Sequence, residues 1–300
     1  MTAAQLINVL YSIVDRIYIG RLPHTSAEAL TGIGLTLPVI TIITAFANLF
    51  GMGGAPLCSI ARGEHNEEKA EKVMGNSFVL LLISGGVLMI LCLIFKRPLL
   101  YLFGASDVSW PYADQYITIY LLGTLFVMIS LGMNNFINAQ GFGKTGMLTV
   151  LLGAVLNIVL DPVLIFGFDM GVRGAAIATI ISQGASAFWV LKFLTGKKAL
   201  LHLNLKGMCL EWKRVKEIVL LGTSGFVMSV TNGLVQIASN TMLSRYGGDL
   251  YVGIMTVINS VREIITMPVT GLTSGAQPVI SYNYGAGCFQ RVKASIRFMT

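Results

Sequence analysis

Long stretches without one charged side chain alternate with short charged ones along this sequence. No Asp, Glu, Lys or Arg occurs from Ala29 to Ala61, Val73 to Phe95, Gln115 to Gly143 or Ile218 to Ser244. Each run exceeds the ~20 residues that carry a helix across a bilayer core. Gly174 to Leu191 is a shorter run of the same kind. One such run can be the buried helix of a soluble domain; five cannot. The pattern predicts helical spans near 3–20, 30–56, 73–95, 115–140, 145–167, 172–194, 215–243 and 252–281, with a ninth helix beginning near 290.

Composition agrees. Of the 300 residues 54% are hydrophobic and 12% charged, against ~25% charged in ordinary soluble domains. Lipid is therefore the solvent for much of the chain. The four cysteines (Cys58, Cys92, Cys209, Cys288) form no CxxC pair, which points away from a zinc site or a disulfide framework.

The net charge of +7 is a topology signal and not a nucleic-acid footprint. Loops after the second, fourth, sixth and eighth spans hold 14 Lys and Arg, seven of them between Lys192 and Lys216. Loops after the first, third, fifth and seventh hold 5: Arg21, Lys96, Arg97, Arg173 and Arg245. The positive-inside rule places the richer set, and the N-terminus, in the cytoplasm. There is no cleavable signal peptide, and the first apolar segment reads as a shortened first span.

A repeat is present. At a shift of 222, Gly53 matches Gly275, Pro56 matches Pro278, Ser59 matches Ser281 and Gly63 matches Gly285. Six spans separate the copies, so they run in the same direction, related by an axis along the membrane normal. Two complete copies need about 440 residues and twelve helices. The 300 residues are therefore expected to be a piece: a first lobe (1–195), a cytoplasmic linker (196–214), and the seventh, eighth and beginning ninth helices of a second lobe (215–300).

Three acidic side chains fall inside predicted spans: Asp15, Asp161 and Glu263, the last beside Arg262. Intramembrane ionisable groups mark transport paths more often than they serve packing alone. In "NIVLDP", Asn157 and Asp161 are four apart and share one helix face. Pro162 frees a carbonyl one turn back as a further oxygen ligand. The segment reads as a site whose carboxylate takes a proton, Na⁺ or a cationic ligand; a helix–helix hydrogen bond is the structural alternative. For Arg262 and Glu263 pairing with other helices is expected.

Enzyme readings fare poorly. "GTSGF" offers Ser224 as an intramembrane nucleophile, but His24, His65 and His202 all lie in predicted loops, so no base is at hand. "GFGKTG" lacks the first glycine of a phosphate loop, its place being taken by Asn138, and follows a membrane helix.

The segments "IVDRIYIGRL", "EALTGIGLTLP", "NIVLDPVLIFGFDMGVRGAAIATIISQ" and "GLTSGAQPVISYNYGAG" together resemble the multidrug and toxic compound extrusion family of cation-coupled exporters. The resemblance covers the whole chain. It implies an all-α polytopic transmembrane bundle, two parallel six-helix lobes around a central cavity, and export of organic cations or amphipathic drugs in exchange for H⁺ or Na⁺. Asp15, Asn157 and Asp161 match the cation-coupling residues of one branch, with Na⁺ a candidate at Asp161 and Asn157. Asn134, Asn138, Gln183 and Asn232 are the cavity candidates; Asn232 stands where another branch carries an acidic residue. Arg16 departs from the small or polar residue expected after the first-span Asp. The resemblance further implies no organic cofactor, no nucleic-acid partner, a monomer, and residence in the bacterial cytoplasmic membrane. A lipid-linked precursor or polysaccharide flippase of the same superfamily is the alternative.

Overall fold

The computed structural model describes Tyr18 and residues 26–299 except 104, 106 and 108. The side chains of 26–31, 205, 206 and most residues between 236 and 267 lie outside that description. The described elements are all helical: α1 Ser26–Gly63, α2 Glu67–Leu102, α3 Trp110–Leu122, α4 Thr124–Ala139, α5 Gly143–Pro162 with a π turn Val163–Gly167, α6 Gly171–Leu194, a 3-10 turn Leu205–Met208, α7 Trp212–Gly285 and α8 Phe289–Met299. Five helices are long and apolar enough to cross a membrane, or six counting α3 with α4.

The charge-free runs dictate the helices, and local chemistry places their ends. At the start of α2 the Asn66 side chain accepts the Lys69 N–H at 2.9 Å, and Glu67 and Glu68 occupy the first turn, where the helix dipole favours negative charge. This helix runs to Leu102, beyond the predicted end at 95, because its charged residues find partners. Lys96 Nζ lies 2.6 Å from an Asp114 carboxylate oxygen, and Arg97 sits over the rings of Tyr101 and Trp110. The core between α1, α2, α3 and α4 is filled by Ile43, Met74, Leu81, Leu121, Met128 and Phe136. On the far side of α2, Ile83, Val87, Ile90, Leu91 and Ile94 are exposed. A strip like that belongs against lipid.

The fourth predicted span is two helices, not one. α3 and α4 meet at Gly123 with a bend of 57°. A Cβ at Gly123 would lie 2.5 Å from Ile180 Cγ1, so the α6 side chain is seated at the break. The bend carries the amide-rich half, α4, into the interior.

α7 replaces the predicted seventh and eighth spans and the loop between them with continuous helical backbone over 74 residues. Straight, it would extend about 110 Å. Its contacts forbid that. Gly222 packs on Leu49, Phe226 on Phe46 (rings 5.0 Å apart) and Gly233 on Thr41, so this part runs antiparallel to α1. Ser274, Gln277 and Pro278 share a cavity with Met52, Pro56 and Ser59, and Gly285 packs on Ile60, so the end runs parallel to α1. One helix touching a single neighbour in both senses has reversed direction in between. The two predicted spans are thus present as arms of a helical hairpin.

The returning arm meets α1 reciprocally. A Cβ on Gly63 would strike the Tyr282 carbonyl, and a Cβ on Gly285 would strike the Ile60 carbonyl. Under the shift of 222, Ile60 corresponds to Tyr282 and Gly63 to Gly285. The shift therefore turns one contact into the other, the signature of a two-fold contact.

Segments after α1, α4, α6 and α7 gather at one end of the bundle. Arg62 donates to the Ala139 carbonyl at 3.0 Å and lies over the Tyr282 ring, and Gln140 accepts from Leu200 and Leu201. These are the segments rich in Lys and Arg. Exposed, free Cys209 sits among them. A membrane-impermeant maleimide is expected to label Cys209 from the cytoplasmic side only; labelling from outside would reverse the orientation.

Candidate functional site

The inward face of α5 reads Gly146, Thr149, Gly153, Ala154, Asn157 and Asp161, all buried, while Val155 and Val159 face outward. Small residues let α6 come close: a Cβ on Gly153 would lie 2.6 Å from Ser186 Oγ, which donates to the Thr149 carbonyl at 3.2 Å. At the end of this face Asn157 Nδ2 donates to Asp161 Oδ1 at 3.2 Å, and Asp161 is fully buried. The four-residue spacing does bring the two side chains together.

Pro162 has no N–H, so the Ile158 carbonyl loses its helical donor. The chain then widens into the π turn, closed by Phe168 N–H on the Val163 carbonyl at 3.0 Å. Such turns concentrate at functional sites. The predicted fifth span therefore ends in two geometries, α to Pro162 and π to Gly167. Asp169 (φ 53°) and Gly171 (φ 52°) reverse the chain. Gly174 then lies so close that a Cβ would be 2.8 Å from the Leu164 carbonyl. Tyr18 caps the turn edge-on, its ring 6.3 Å from Phe166.

A cavity of about 200 Å³ opens beside this face, between α1, α4, α5, α6 and the returning arm of α7. Four residues of its first-lobe lining, Asn134, Asn138, Asn157 and Ser182, each carry an oxygen buried behind the cavity surface. Asn134 Nδ2 donates to the Gly146 carbonyl at 3.3 Å, leaving Asn134 Oδ1 buried without a donor. Asn157 commits its nitrogen to Asp161, leaving Asn157 Oδ1 in the same state. Among the described residues Asn138 Oδ1 and Ser182 Oγ are also buried without hydrogen-bond partners. Buried oxygens of this kind favour a ligand that brings N–H groups or positive charge.

Asn134, Asn138 and Gln183, the cavity candidates, line this cavity together with Asn157, a coupling candidate; Asp161 sits behind Asn157 and does not. Asn232 is exposed and lies outside the cavity lining, while neighbouring Gly233 packs on Thr41 of α1. Arg262 is exposed, and no ion pair is recorded for it among the described residues. Asp15, Arg16 and the Glu263 side chain fall outside the described residues. The sequence reading missed Ser182, Gln277 and the proline pair. Pro56 and Pro278, matched by the repeat, both line the cavity, as do Met52 and Ser274, the residues whose carbonyls these prolines release. The repeat itself was the signal for them.

Among the described residues no three His, Cys, Asp or Glu converge on a metal site. Among the described residues a cation here meets one carboxylate, that of Asp161, and neutral oxygens. Hard cations accept such ligands, and Asn157 Oδ1 and the released Ile158 carbonyl fit that donor set.

The MatE family profile matches residues 1–163 and 226–300. The chain belongs to the MatE family. The multidrug export protein MepA of Staphylococcus haemolyticus (strain JCSC1435) is 30% identical over 286 residues, 95% of this chain and 62% of its own length. The solved MATE multidrug transporter DinF-BH is 33% identical with a TM-score of 0.92, over 99% of this chain and 66% of that one. A MOP superfamily transporter from Pyrococcus furiosus Vc1, 24% identical, has the same fold, with a TM-score of 0.92 over 100% of this chain and 66% of its own. This MatE chain thus spans less than two thirds of these relatives, and it is a multi-pass membrane protein of a multidrug-export family.

Proposed function

We propose that the protein to which this chain belongs exports organic cations or amphipathic drugs in exchange for H⁺ or Na⁺ by alternating access. One observation carries the reading. The fully buried carboxylate of Asp161 is bonded to Asn157, a residue that lines a cavity bounded by both repeats. Asn157 thereby links two occupants. A cation drawn to Asp161 competes for the amide oxygen that a cationic substrate would use from the cavity. Exchange follows if ion and substrate favour opposite access states, since a ligand shifts an equilibrium only by its differential affinity. Asp15 is proposed as a second carboxylate of the coupling site, on the sequence match alone.

The test is export of a fluorescent organic cation from proteoliposomes holding the full-length protein under imposed H⁺ or Na⁺ gradients. Export independent of both gradients would overturn the coupling. In the same assay Asn134→Ala and Asn157→Ala are each expected to raise KM about tenfold, since hydrogen bonds to charged groups contribute roughly 1.5–3 kcal/mol. Asn232→Ala should leave KM unchanged. An Asn232→Ala effect as large as that of Asn157→Ala would relocate the substrate site.

A further inference from the structure

By sequence the segment between the lobes, 196–214, is a linker. The structure places most of it as a strap on the first lobe. Gln140, itself buried, accepts the Leu200 and Leu201 N–H groups at 2.9 and 3.0 Å. Glu71 accepts the His202 N–H at 2.9 Å and the Asn204 amide at 2.6 Å. Leu201 and Leu203 are buried in the first-lobe core. The 3-10 turn lies so close to α2 that a Cβ on Gly75 would strike the Gly207 carbonyl.

The last grip belongs to Asn76, which is fully buried in α2. Its Nδ2 lies 3.2 Å from the Gly207 carbonyl oxygen and 3.0 Å from that of Cys209, and its Oδ1 accepts the Glu211 N–H at 2.9 Å. The two Nδ2 hydrogens are shared among these carbonyls and that of Lys72 at 2.8 Å, so the bond from the Glu211 N–H to Oδ1 is the undivided one. Glu211 is the N-cap of α7, so second-lobe helix begins one residue beyond this grip.

We infer that residues 199–211 move with the first lobe and that Asn76 is the pivot about which the second lobe turns. A free tether of this length would let the lobes wander by many ångströms. Anchored to Glu211, the chain confines the change to the dihedrals joining Glu211 and Trp212, as hinges generally do. Asn76 is thus a positioning residue. The inference rests on the alternating-access reading for its motion, and on the hydrogen bonds alone for the strap.

Two measurements on the full-length protein test it. Backbone amides of Leu200, His202, Gly207 and Glu211 should exchange slowly with deuterium. Asn76→Ala should speed exchange at Glu211 at least about tenfold while Leu200, held by Gln140, and Gly207, whose N–H is held by Asn204, stay protected. Free-peptide exchange across 200–211 in the unsubstituted protein would overturn the strap. Spin labels at Lys144→Cys, His202→Cys and Arg291→Cys then separate the motions. Between the two access states the Lys144–His202 distance should hold and the His202–Arg291 distance should change. A changing Lys144–His202 distance overturns the pivot alone; no change at any pair overturns alternating access and the pivot with it.

Discussion

Asp161→Asn is expected to reduce gradient-driven export by the full-length protein to the level of protein-free liposomes, with insertion and folding intact. The substitution keeps the side chain's shape, and its amide oxygen can still accept from Asn157 Nδ2, now donating across 3.2 Å to the carboxylate. What disappears is the charge. Asp161 is fully buried, and an ionised carboxylate away from water costs more than a neutral amide. Thermal stability should therefore hold or rise while transport is lost. That pairing is the informative result. A merely structural Asp161 would show wild-type export and ion dependence in the variant, and either outcome is read in one proteoliposome assay with a melting curve beside it.

The second large effect is expected at the reciprocal crossing. In Gly63→Val the new side chain meets the Tyr282 carbonyl, with Ala286 N at 2.7 Å and Gly285 C at 3.0 Å from the Cβ position. These are backbone atoms and cannot swing aside as a flexible side chain would. Overpacking of this kind costs about 1–3 kcal/mol. If the contact must part for the cavity to face the cytoplasm, the cost falls on the closed state only. The equilibrium then moves roughly five- to a hundredfold towards the open one, at about 1.4 kcal/mol per decade. Labels at Lys69→Cys and Arg291→Cys should report a longer mean distance in Gly63→Val. Gly86→Ala, where nothing lies within 4 Å of the added atom, is the neutral comparison. An unchanged distance with normal export would make the crossing a bystander.

Much of this could be read from the letters. Charge-free runs announce membrane helices because the cost of an unpaired charge in lipid is large, and the four-residue spacing of Asn157 and Asp161 is enough to put both on one helix face. Features that depend on a neighbouring helix were not legible. The bend at Gly123 answers to Ile180, more than fifty residues away. The end of α2 lies beyond its charged residues because Lys96 and Arg97 are satisfied by α3. Asn134 and Asn232 are the same residue in equally apolar surroundings, yet only packing decides that one lines the cavity and the other is exposed. The linker reads as a tether because buried Asn76, Gln140 and Glu71 carry no sign in sequence that backbone from elsewhere is their partner.

The crossing of Gly63 and Gly285 also bears on how such a molecule can change over generations. In a symmetric dimer of identical chains, any substitution at a two-fold contact appears on both sides at once, and its cost is doubled. Here the two sides are separate codons of one chain. Ile60 and Tyr282 already differ at matched places, and the ring of Tyr282 takes the Arg62 guanidinium at 5.7 Å. One half of the contact can thus acquire a new interaction while the other keeps the glycine packing that holds the lobes in register.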